Sequence, residues 1–440
     1  MKVIIIGAGI GGLSAYHSLK KNLANDKVTI KVYESHGPPG TTKVGGGLGL
    51  APNGLRAIAS ISLKAIEYIQ KNAYPGPIFA FRNSSGRLLG HFWSGRKERY
   101  GFDQMMVRRA VLHEALLLDI PADVVTWNSK LQSVWETDEG VEVEFADGSS
   151  DTADLVIGAD GVWSIVRECI FDKQYSPIYD GFSGVGGFIP LSRLSPRLRE
   201  SLKSESVTMT FGSPGFFGYS LTSPSKPVEN SDLSTNYIQW WSIYESPTPP
   251  TRSEADPSTV RTHLLSQHAS WKSPYDTPGA PVFEEIINLG CTTENEFLVL
   301  PRYEAPRMPS WSTPSGSGRI ILLGDAAHVM PPDSGQGASC AIEDAVAIGV
   351  LLHRYFEIDD VDIKDALKNV VGAYEGVRMK RVWKILDMAK RSGNSKKRQS
   401  WLQQKIRDLF LGIFCKLPES VNDGLYMYDV EAAVDQYVKR

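Results

Sequence analysis

The sequence predicts an α/β fold: a Rossmann-type nucleotide-binding domain, a mainly antiparallel-sheet domain and a C-terminal helical segment. Three observations carry this expectation. The chain opens on strand, glycine turn and helix, with "KVIII", "GAGIGG" and "LSAYHSLKKNL" in succession. The same theme returns at "DLVIGADGVWSIVRECI" and at "RIILLGDAAHVM". Between those two stretches, residues 175–290 carry few helical signals and many Pro, Ser and aromatic residues. With 440 residues the chain exceeds what one core supports, so about two lobes with appendages are expected.

Taken in order, "KVIII" is short and β-branched, as a buried strand should be. The helix after GAGIGG shows apolar residues at helical spacing, and "VTIKVYE" is a second strand ending at Glu34. Together they make a βαβ unit. "KVGGGLGLAPNG" is a glycine-rich turn feeding a helix near residues 53–60. "IFAFRNSSGRLLGHFW" reads as a hairpin around Ser85-Gly86, and "RRAVLHEALLLDI" as a short amphipathic helix. Strand and hairpin patterns run from Val124 to Phe145, with a further turn at Asp147-Gly148. Ser164 is a natural N-cap for the helix after "DLVIGADGVW".

In the middle region "SVTMTFG", "GFFGYSLTS" and "NYIQWWSIYE" read as strands, while "SKPVENSDLS" and "ESPTPPTRSEADPS" read as exposed loops. From about residue 335 the chain is mostly helical.

Composition excludes several classes. Hydrophobic residues make up 42% and charged residues 22%, ordinary for a globular protein. The formal net charge of −3 gives bulk electrostatics no reason to favour nucleic acid or an anionic membrane. Cys169, Cys291, Cys340 and Cys415 lie far apart without a CxxC pair, which argues against a metal site or a disulfide framework. That usage suits a reducing, cytoplasmic setting. The apolar run Val3–Ile6 is too short for a secretion signal, and no stretch approaches the length needed to span a bilayer.

The glycine turns carry the chemistry. Gly7, Gly9 and Gly12 match GxGxxG after a strand and before a helix. In that setting the first glycine allows the turn, the second lets backbone approach a pyrophosphate and the third permits close helix–strand packing. Glu34 ends the following strand, where an acid can accept from ribose hydroxyls. The alternative is a plain βαβ turn. Asp160-Gly161 and Gly324-Asp325 each set a carboxylate beside a glycine after an apolar strand. Carboxylates accept from hydroxyls, and a ribityl chain offers several, which favours FAD over a nicotinamide dinucleotide as the resident cofactor.

These stretches together resemble the three fingerprints of the single-component flavoprotein aromatic hydroxylases. That family includes p-hydroxybenzoate hydroxylase, the salicylate hydroxylases and the tetracycline-inactivating monooxygenases. The likeness runs over roughly residues 3–345, through GAGIGG with Glu34, "DLVIGADGVWSIVR" and "RIILLGDAAHVMPPDSGQGASCAIEDA". "VRRAVLHEAL" resembles the family's arginine-containing helix, with Arg109 at the cofactor-contacting position. "VGGGLGLAPNGLRAI", with Gly46 and Gly47, resembles the segment beside the flavin ring, and "YMYDVEAAVD" the closing segment of salicylate hydroxylase-like members. A looser likeness is to fungal secondary-metabolism monooxygenases.

The resemblance implies tightly but non-covalently bound FAD, NADPH or NADH as a transient co-substrate, and O2. One oxygen atom goes to an electron-rich substrate carbon and the other leaves as water. Asp325 would take hydrogen bonds from the ribityl chain, Pro331 and Pro332 would stiffen the passage beside the flavin, and Gly335, Gln336 and Gly337 would present N–H groups to the ring. The implied FAD-binding domain is discontinuous, over 1–72, 101–174 and 291–390. The substrate domain takes 73–100 and 175–290, and 391–440 is the helical segment.

In a strand alternate residues share a face, so Gln239, Trp241 and Ile243 point one way and Ile238, Trp240 and Ser242 the other. Gln239 and Trp241 are candidate substrate contacts, with Phe216, Phe217 and Tyr219 as aromatic wall. Each of these also has a plain reading as core. No catalytic base is assigned; His91 and His328 qualify only by neighbourhood, and His328 reads better as structural. Many relatives carry an arginine in the segment that here is "YDGFSGVGGFIP", with Gly186 or Gly187 in its place. That points from a small carboxylate towards a larger aromatic, polyketide-like or alkaloid-like substrate.

The basic C-terminal helix, through Trp401, Leu402, Leu409 and Phe410, suits either a membrane or partner contact or packing on the flavin domain. A monomer or a homodimer is expected. Rival functions are a flavin-dependent halogenase, an FAD dehydrogenase or oxidase, and a non-catalytic flavin-binding protein. The halogenases share a WxWxIP motif. Gln239-Trp240-Trp241-Ser242-Ile243-Tyr244 lacks its first Trp and its Pro.

Overall fold

The computed structural model describes residues 1–39, 46–223, 236–251, 255–293, 297–359, 361–394 and 396–439. The loop expected at "SKPVENSDLS" lies outside the described residues, as does part of the one at "ESPTPPTRSEADPS".

Five strands form a parallel sheet in the spatial order Ile320–Leu322, Leu155–Gly158, Lys2–Ile6, Thr29–Tyr33 and Val125–Thr126. Val3, Ile4 and Ile5 and their neighbours Leu155, Val156 and Ile157 are fully buried. Their unbroken apolar runs, rather than an alternation, follow from a sheet covered on both faces. Helix Ile10–Asn22 packs along helix Gly337–Leu352, which is buried along nearly its whole length. A three-stranded antiparallel sheet, Leu131–Glu136, Val141–Phe145 and Ser150–Ala153, flanks this unit. A second small sheet pairs Gly47–Leu50 with Met105–Arg108, and the latter with Tyr74–Pro75.

The other large element is a seven-stranded sheet. Its order is Phe297–Glu304, Ile178–Pro190, Tyr237–Glu245, Phe216–Leu221, Val207–Phe211, Ile78–Asn83 and Leu88–Trp93. All neighbours are antiparallel except Val207–Phe211 with Ile78–Asn83. The expected hairpin at Ser85-Gly86 is thus an edge of this sheet. Phe297–Glu304, expected with the FAD-binding segments, pairs with Ile178–Pro190 instead, so the large sheet reaches further along the chain than composition suggested.

The region 175–290 is also more helical than expected. Helices Pro196–Ser204, Pro257–His268 and Val282–Gly290 cover one face of the large sheet. Two of them start at a proline preceded by a capping side chain, Ser195 accepting from Leu198 N and Asp256 accepting from Ser258 N and Thr259 N. Asp256-Pro257 lies in the stretch expected as an exposed loop, yet a capping residue followed by proline at the first helical position also starts a helix.

Strand alternation then divides the sheet's side chains. Val185, Ile189, Phe217, Tyr219, Ile238 and Trp240 form a core with those helices. Phe182, Phe216 and Ile243, with Trp241 packed against them, belong to a different cluster on the other face. Adjacent tryptophans therefore have opposite fates: Trp240 is fully buried, whereas Trp241 is half-buried. Trp240→Ala should cost about 3–5 kcal/mol of stability by urea unfolding, and Trp241→Ala clearly less; equal losses would contradict the assignment of faces.

Candidate active site

Strands ending at residues 6, 158 and 322 are parallel neighbours, so the turns that follow all emerge at one edge of the sheet. At about 4.8 Å per strand, the three turns fall within about 10 Å of one another. Gly7 has φ of 104°, and its N–H donates to the Tyr33 carbonyl at 2.7 Å. A Cβ on Gly7 would overlap the Ala159 carbonyl, and one on Gly12 would overlap the carbonyl oxygen of Gly7. A Cβ on Gly9, by contrast, would meet nothing in the chain within 4 Å. The protein itself demands glycine at 7 and 12; at 9 the space is open, and helix Ile10–Asn22 begins there with no side-chain cap. Unpaired N–H groups beside an open cradle suit a pyrophosphate.

Glu34 is partly engaged. One carboxylate oxygen accepts from Ala8 N at 2.8 Å, inside the glycine turn, and the other accepts from Ser35 Oγ and His36 N. The ring of His113 hydrogen-bonds the Ala8 carbonyl at 2.8 Å, and burial pushes the imidazole towards its neutral form, so Nε2–H is the donor. His113 thus braces the first turn from helix Arg109–Leu117, one turn beyond Arg109 on the same face. Arg109 is exposed at the start of that helix, and its N–H donates to the Gly46 carbonyl at 3.0 Å.

The two acids of the other turns differ. Asp160 accepts from Ser164 Oγ at 2.6 Å and from Val166 N at 3.1 Å, while Ser164 caps the same helix by accepting from Arg167 N. Asp160 therefore holds the start of its own helix rather than standing free. Asp325 receives no hydrogen bond on its carboxylate from the described residues, and its side chain is open to solvent although protein surrounds it densely. That crowding pushes its pKa up, opposed by the charges of His328, Arg109 and Arg167. Buried Arg167 donates to the carbonyls of Val162 at 2.6 Å and Ala326 at 3.0 Å, tying the second turn to the third. Nothing in the sequence around Arg167 marks it as a brace, because the partner that makes it one, the Ala326 carbonyl, is a backbone atom far along the chain.

Beyond Asp325 the chain passes Pro331 and Pro332 into a tight turn, reaches Gly335 at φ of 62°, and enters helix Gly337–Leu352. The buried Gln336 side chain accepts from Asn53 Nδ2 at 2.9 Å, and Asn53 also donates to Glu343 at 2.7 Å. Glu343 pairs with Arg378 at 2.7 Å and Arg381 at 2.9 Å. Asp344 pairs with Arg378 at 2.8 Å and His328 Nε2 at 2.6 Å, and accepts from Gly324 N at 3.0 Å. Burial works against ionising Asp344, but the His328 and Arg378 charges and their hydrogen bonds override it and bring its pKa down to about 2. His328 thus serves as a structural partner of Asp344, packed beside Trp311, rather than as a base. A second buried cluster clamps the proline turn: Asp333 pairs with Lys396 and, at 2.8 Å, with Arg302, which also reaches Asp180 at 2.7 Å. Lys396 comes from the C-terminal segment and lies 4.8 Å from the centre of the Phe216 ring. Sequence reading gave no hint of it, since Lys396 sits in a basic run that looks solvated.

Facing these turns is the large sheet. Gly47 runs so close to it that a Cβ there would overlap Gln239 Oε1. Gln239 donates to Ser220 Oγ at 2.9 Å, and its Oε1 is buried without a partner. Arg108, paired in register with Gly47, places its guanidinium over Phe188 at 5.0 Å and Tyr237 at 5.2 Å; its Nε is likewise buried without a hydrogen bond. Gly186 and Trp241 are cross-strand partners beside them. Phe217 and Tyr219, expected as wall, instead pack in the outer core with Trp240, because the alternation starts one residue earlier at Phe216. His91 is exposed on the edge strand, four strand spacings or about 19 Å from the strand of Gln239. It is not placed to serve that site.

Comparison with known proteins decides the family. The FAD binding domain family matches residues 1–277 and 310–389. The chain belongs to the single-component FAD-dependent aromatic monooxygenases. It is 28% identical to a 3-amino-4-hydroxybenzoate 2-monooxygenase of Streptomyces platensis, over 98% of this chain and 96% of that one. It is 30% identical to a FAD-dependent urate hydroxylase of Klebsiella pneumoniae, over 87% of each. The fold matches a crystal structure of a single-substitution variant of Klebsiella pneumoniae HpxO with FAD at a TM-score of 0.77 and 25% identity, covering 98% and 99% of the two chains. The monooxygenase accordingly binds FAD, and the open edge at Gly9 and the free carboxylate of Asp325 fit that group.

Asp325→Ala should fold normally but purify with at least about tenfold less FAD, read from visible absorbance; unchanged flavin content would remove Asp325 from the site. A second expectation concerns pH. The folded pKa of Asp344 lies below its ordinary value, so its contribution is fully present above pH of about 4 and is lost as pH falls towards 2. Asp344→Asn should therefore destabilise the monooxygenase at neutral pH by about 3–5 kcal/mol. It should also shrink the acid loss by on the order of 2 kcal/mol in urea unfolding at the two pH values.

Proposed function

We propose that this monooxygenase takes electrons from NADPH or NADH and inserts one atom of O2 into an electron-rich aromatic or polycyclic small molecule, by hydroxylation or epoxidation. In balance, NAD(P)H, one proton, O2 and substrate become NAD(P)+, water and the oxygenated product. The observation that carries the reading is the contrast among the acids at the sheet edge. Glu34, Asp160, Asp333, Glu343 and Asp344 are all held by protein donors or cations, and Asp325 alone of these six faces the cleft without one. A ligand hydroxyl is its natural partner.

Bound FAD supplies the two-electron acceptor and the centre that reacts with O2. Around it, Gly7, Gly9 and Gly12 with the first turn of helix Ile10–Asn22 would take the pyrophosphate, and Glu34 the ribose. Arg109 and Asp325 would face the ribityl side, with Asp160 fixing its turn. Gly46 and Gly47 would flank the ring, opposite Pro331, Gly335, Gln336 and Gly337. The N-terminus of helix Gly337–Leu352 favours negative charge left by reduction by roughly 0.3–2 kcal/mol. A single GxGxxG implies that NAD(P)H visits rather than resides.

The substrate would lie against Trp241 and Phe216, on the face of the large sheet that the Gly47 strand meets at Gln239. Gln239 Oε1 lacks a donor and Arg108 Nε–H lacks an acceptor. A ring edge that both donates and accepts, such as a phenol or a lactam, would satisfy both. Glycine in place of an arginine at Gly186 or Gly187 argues for a less acidic substrate, but Arg108 brings a cation to the face of Trp241 from another strand. The four free cysteines suit a reducing compartment.

The test is a screen of aromatic natural products for stimulated NAD(P)H consumption under 18O2, with products weighed by mass spectrometry. One labelled oxygen per product is expected. Consumption without label in any product would favour a dehydrogenase or oxidase, and a product that requires halide would favour a halogenase.

A further inference from the structure

Helix Trp401–Phe414 is built inside out. A helix at a protein surface normally turns its apolar stripe to the core and its charges to water. Here the two buried residues are Arg407 and Asp408. Arg407 donates to the carbonyls of Gly212 at 2.7 Å and Phe211 at 3.3 Å, and Asp408 accepts from Asn83 Nδ2 at 2.8 Å. Half-buried Leu411, Phe414 and Cys415 complete the seam against Leu89 and Phe92. The helix therefore rests on the large sheet, not on the FAD-binding sheet.

Its outward face is Leu402, Ile406, Leu409 and Ile413, spaced four, three and four residues apart, with Trp401 and Phe410 beside them. Trp401 is 71% exposed, Leu409 67% and Phe410 65%. Exposed Leu417 and Val421 follow the helix. A contiguous apolar face of this kind on a folded protein marks a contact surface.

Charge identifies the occupant. From residue 388 to 418 the only acid is Asp408, which is buried and paired. Arg391, Lys397, Arg398, Lys405 and Lys416 are exposed in the same stretch, and Lys405 lies 5.6 Å from the centre of the Trp401 ring. The chain as a whole is at −3, so this segment opposes the sign of the rest. The acids nearest this segment, Glu245 against Arg398 N at 2.8 Å and Glu304 against Lys390 at 3.1 Å, are outnumbered by its cations, so a second copy docking here would set mostly cations against cations. An anionic lipid surface accepts both the apolar face and the cations, and a helix lying in the interface has this make-up. We propose that the outward face of helix Trp401–Phe414 lies on an anionic lipid bilayer as a peripheral anchor. Among the described residues no helix is long and apolar enough to cross a membrane, and none is needed for this contact. Docking would set lipid beside the sheet that carries Trp241 and Gln239.

The test uses the full FAD-loaded chain and sedimentation with vesicles. Binding is expected to phosphatidylcholine vesicles containing phosphatidylglycerol, with at least about tenfold weaker binding to pure phosphatidylcholine and release by high salt. Leu409→Asp with Phe410→Asp should abolish binding at unchanged FAD content, since neither side chain is buried. Lys397→Glu with Lys405→Glu, which leaves the apolar face intact, should remove the preference for anionic vesicles. Sedimentation velocity on the same samples distinguishes the other occupants. A dimer that Leu409→Asp dissolves, without vesicle binding, would overturn the proposal in favour of a second copy. A monomer that binds no vesicle overturns it as well.

Discussion

Everything at the candidate active site depends on parallel register. Strands Lys2–Ile6, Leu155–Gly158 and Ile320–Leu322 come from positions more than 150 residues apart, yet they lie side by side and point the same way. Parallel pairing puts their C-terminal ends on one edge, where loops can deliver backbone N–H groups and side chains to a single ligand. Helix Gly337–Leu352 is pressed against helix Ile10–Asn22 on that sheet, so the two helix N-termini are fixed relative to each other. Arg167 stitches two of the turns through their carbonyls.

Buried charge fixes the part that the sheet does not reach. The stretch from Pro331 to Gly337 has little regular hydrogen bonding of its own. It is held instead by Gln336 on Asn53, by Asp333 on Lys396 and Arg302, and by Glu343 and Asp344 on Arg378, Arg381 and His328. Ion pairs so buried add little net stability, because desolvation offsets attraction, but losing one partner is costly. Their effect is positional: the loop has one well-defined arrangement. Asp333 and Arg302 also join the loop to the large sheet, so the two halves of the cleft are referenced to each other.

The large sheet divides labour by face. One face is sealed by three short helices and gives the lobe its own core. The other carries Gln239 and Trp241 towards the Gly47 strand and supports the C-terminal helix at its far edge. A β-sheet can do this because successive side chains alternate in direction, so catalytic surroundings and stability are not in competition for the same positions.

The sequence by itself determined the parallel sheet, the three glycine turns and the monooxygenase family. Each is a local pattern: an apolar run, a glycine where backbone must bend or approach closely, and an acid next to it. It also placed Gln239 and Trp241 on one face, since alternation is local too. What it could not decide depended on how the folded chain packs and pairs its side chains. Asp160 and Asp325 look alike in sequence, but only folding shows that one is occupied by Ser164 and Val166 while the other is free. Phe217 and Tyr219 were lost by a shift of one residue, which alone reverses a strand's face. The short Pro-capped helices of the middle region were hidden because their stabilisation comes from the sheet they cover. Lys396 reads as one more cation in a basic run until tertiary structure buries it between Asp333 and Phe216. Burial and pairing are properties of the whole folded chain, and no local pattern encodes them.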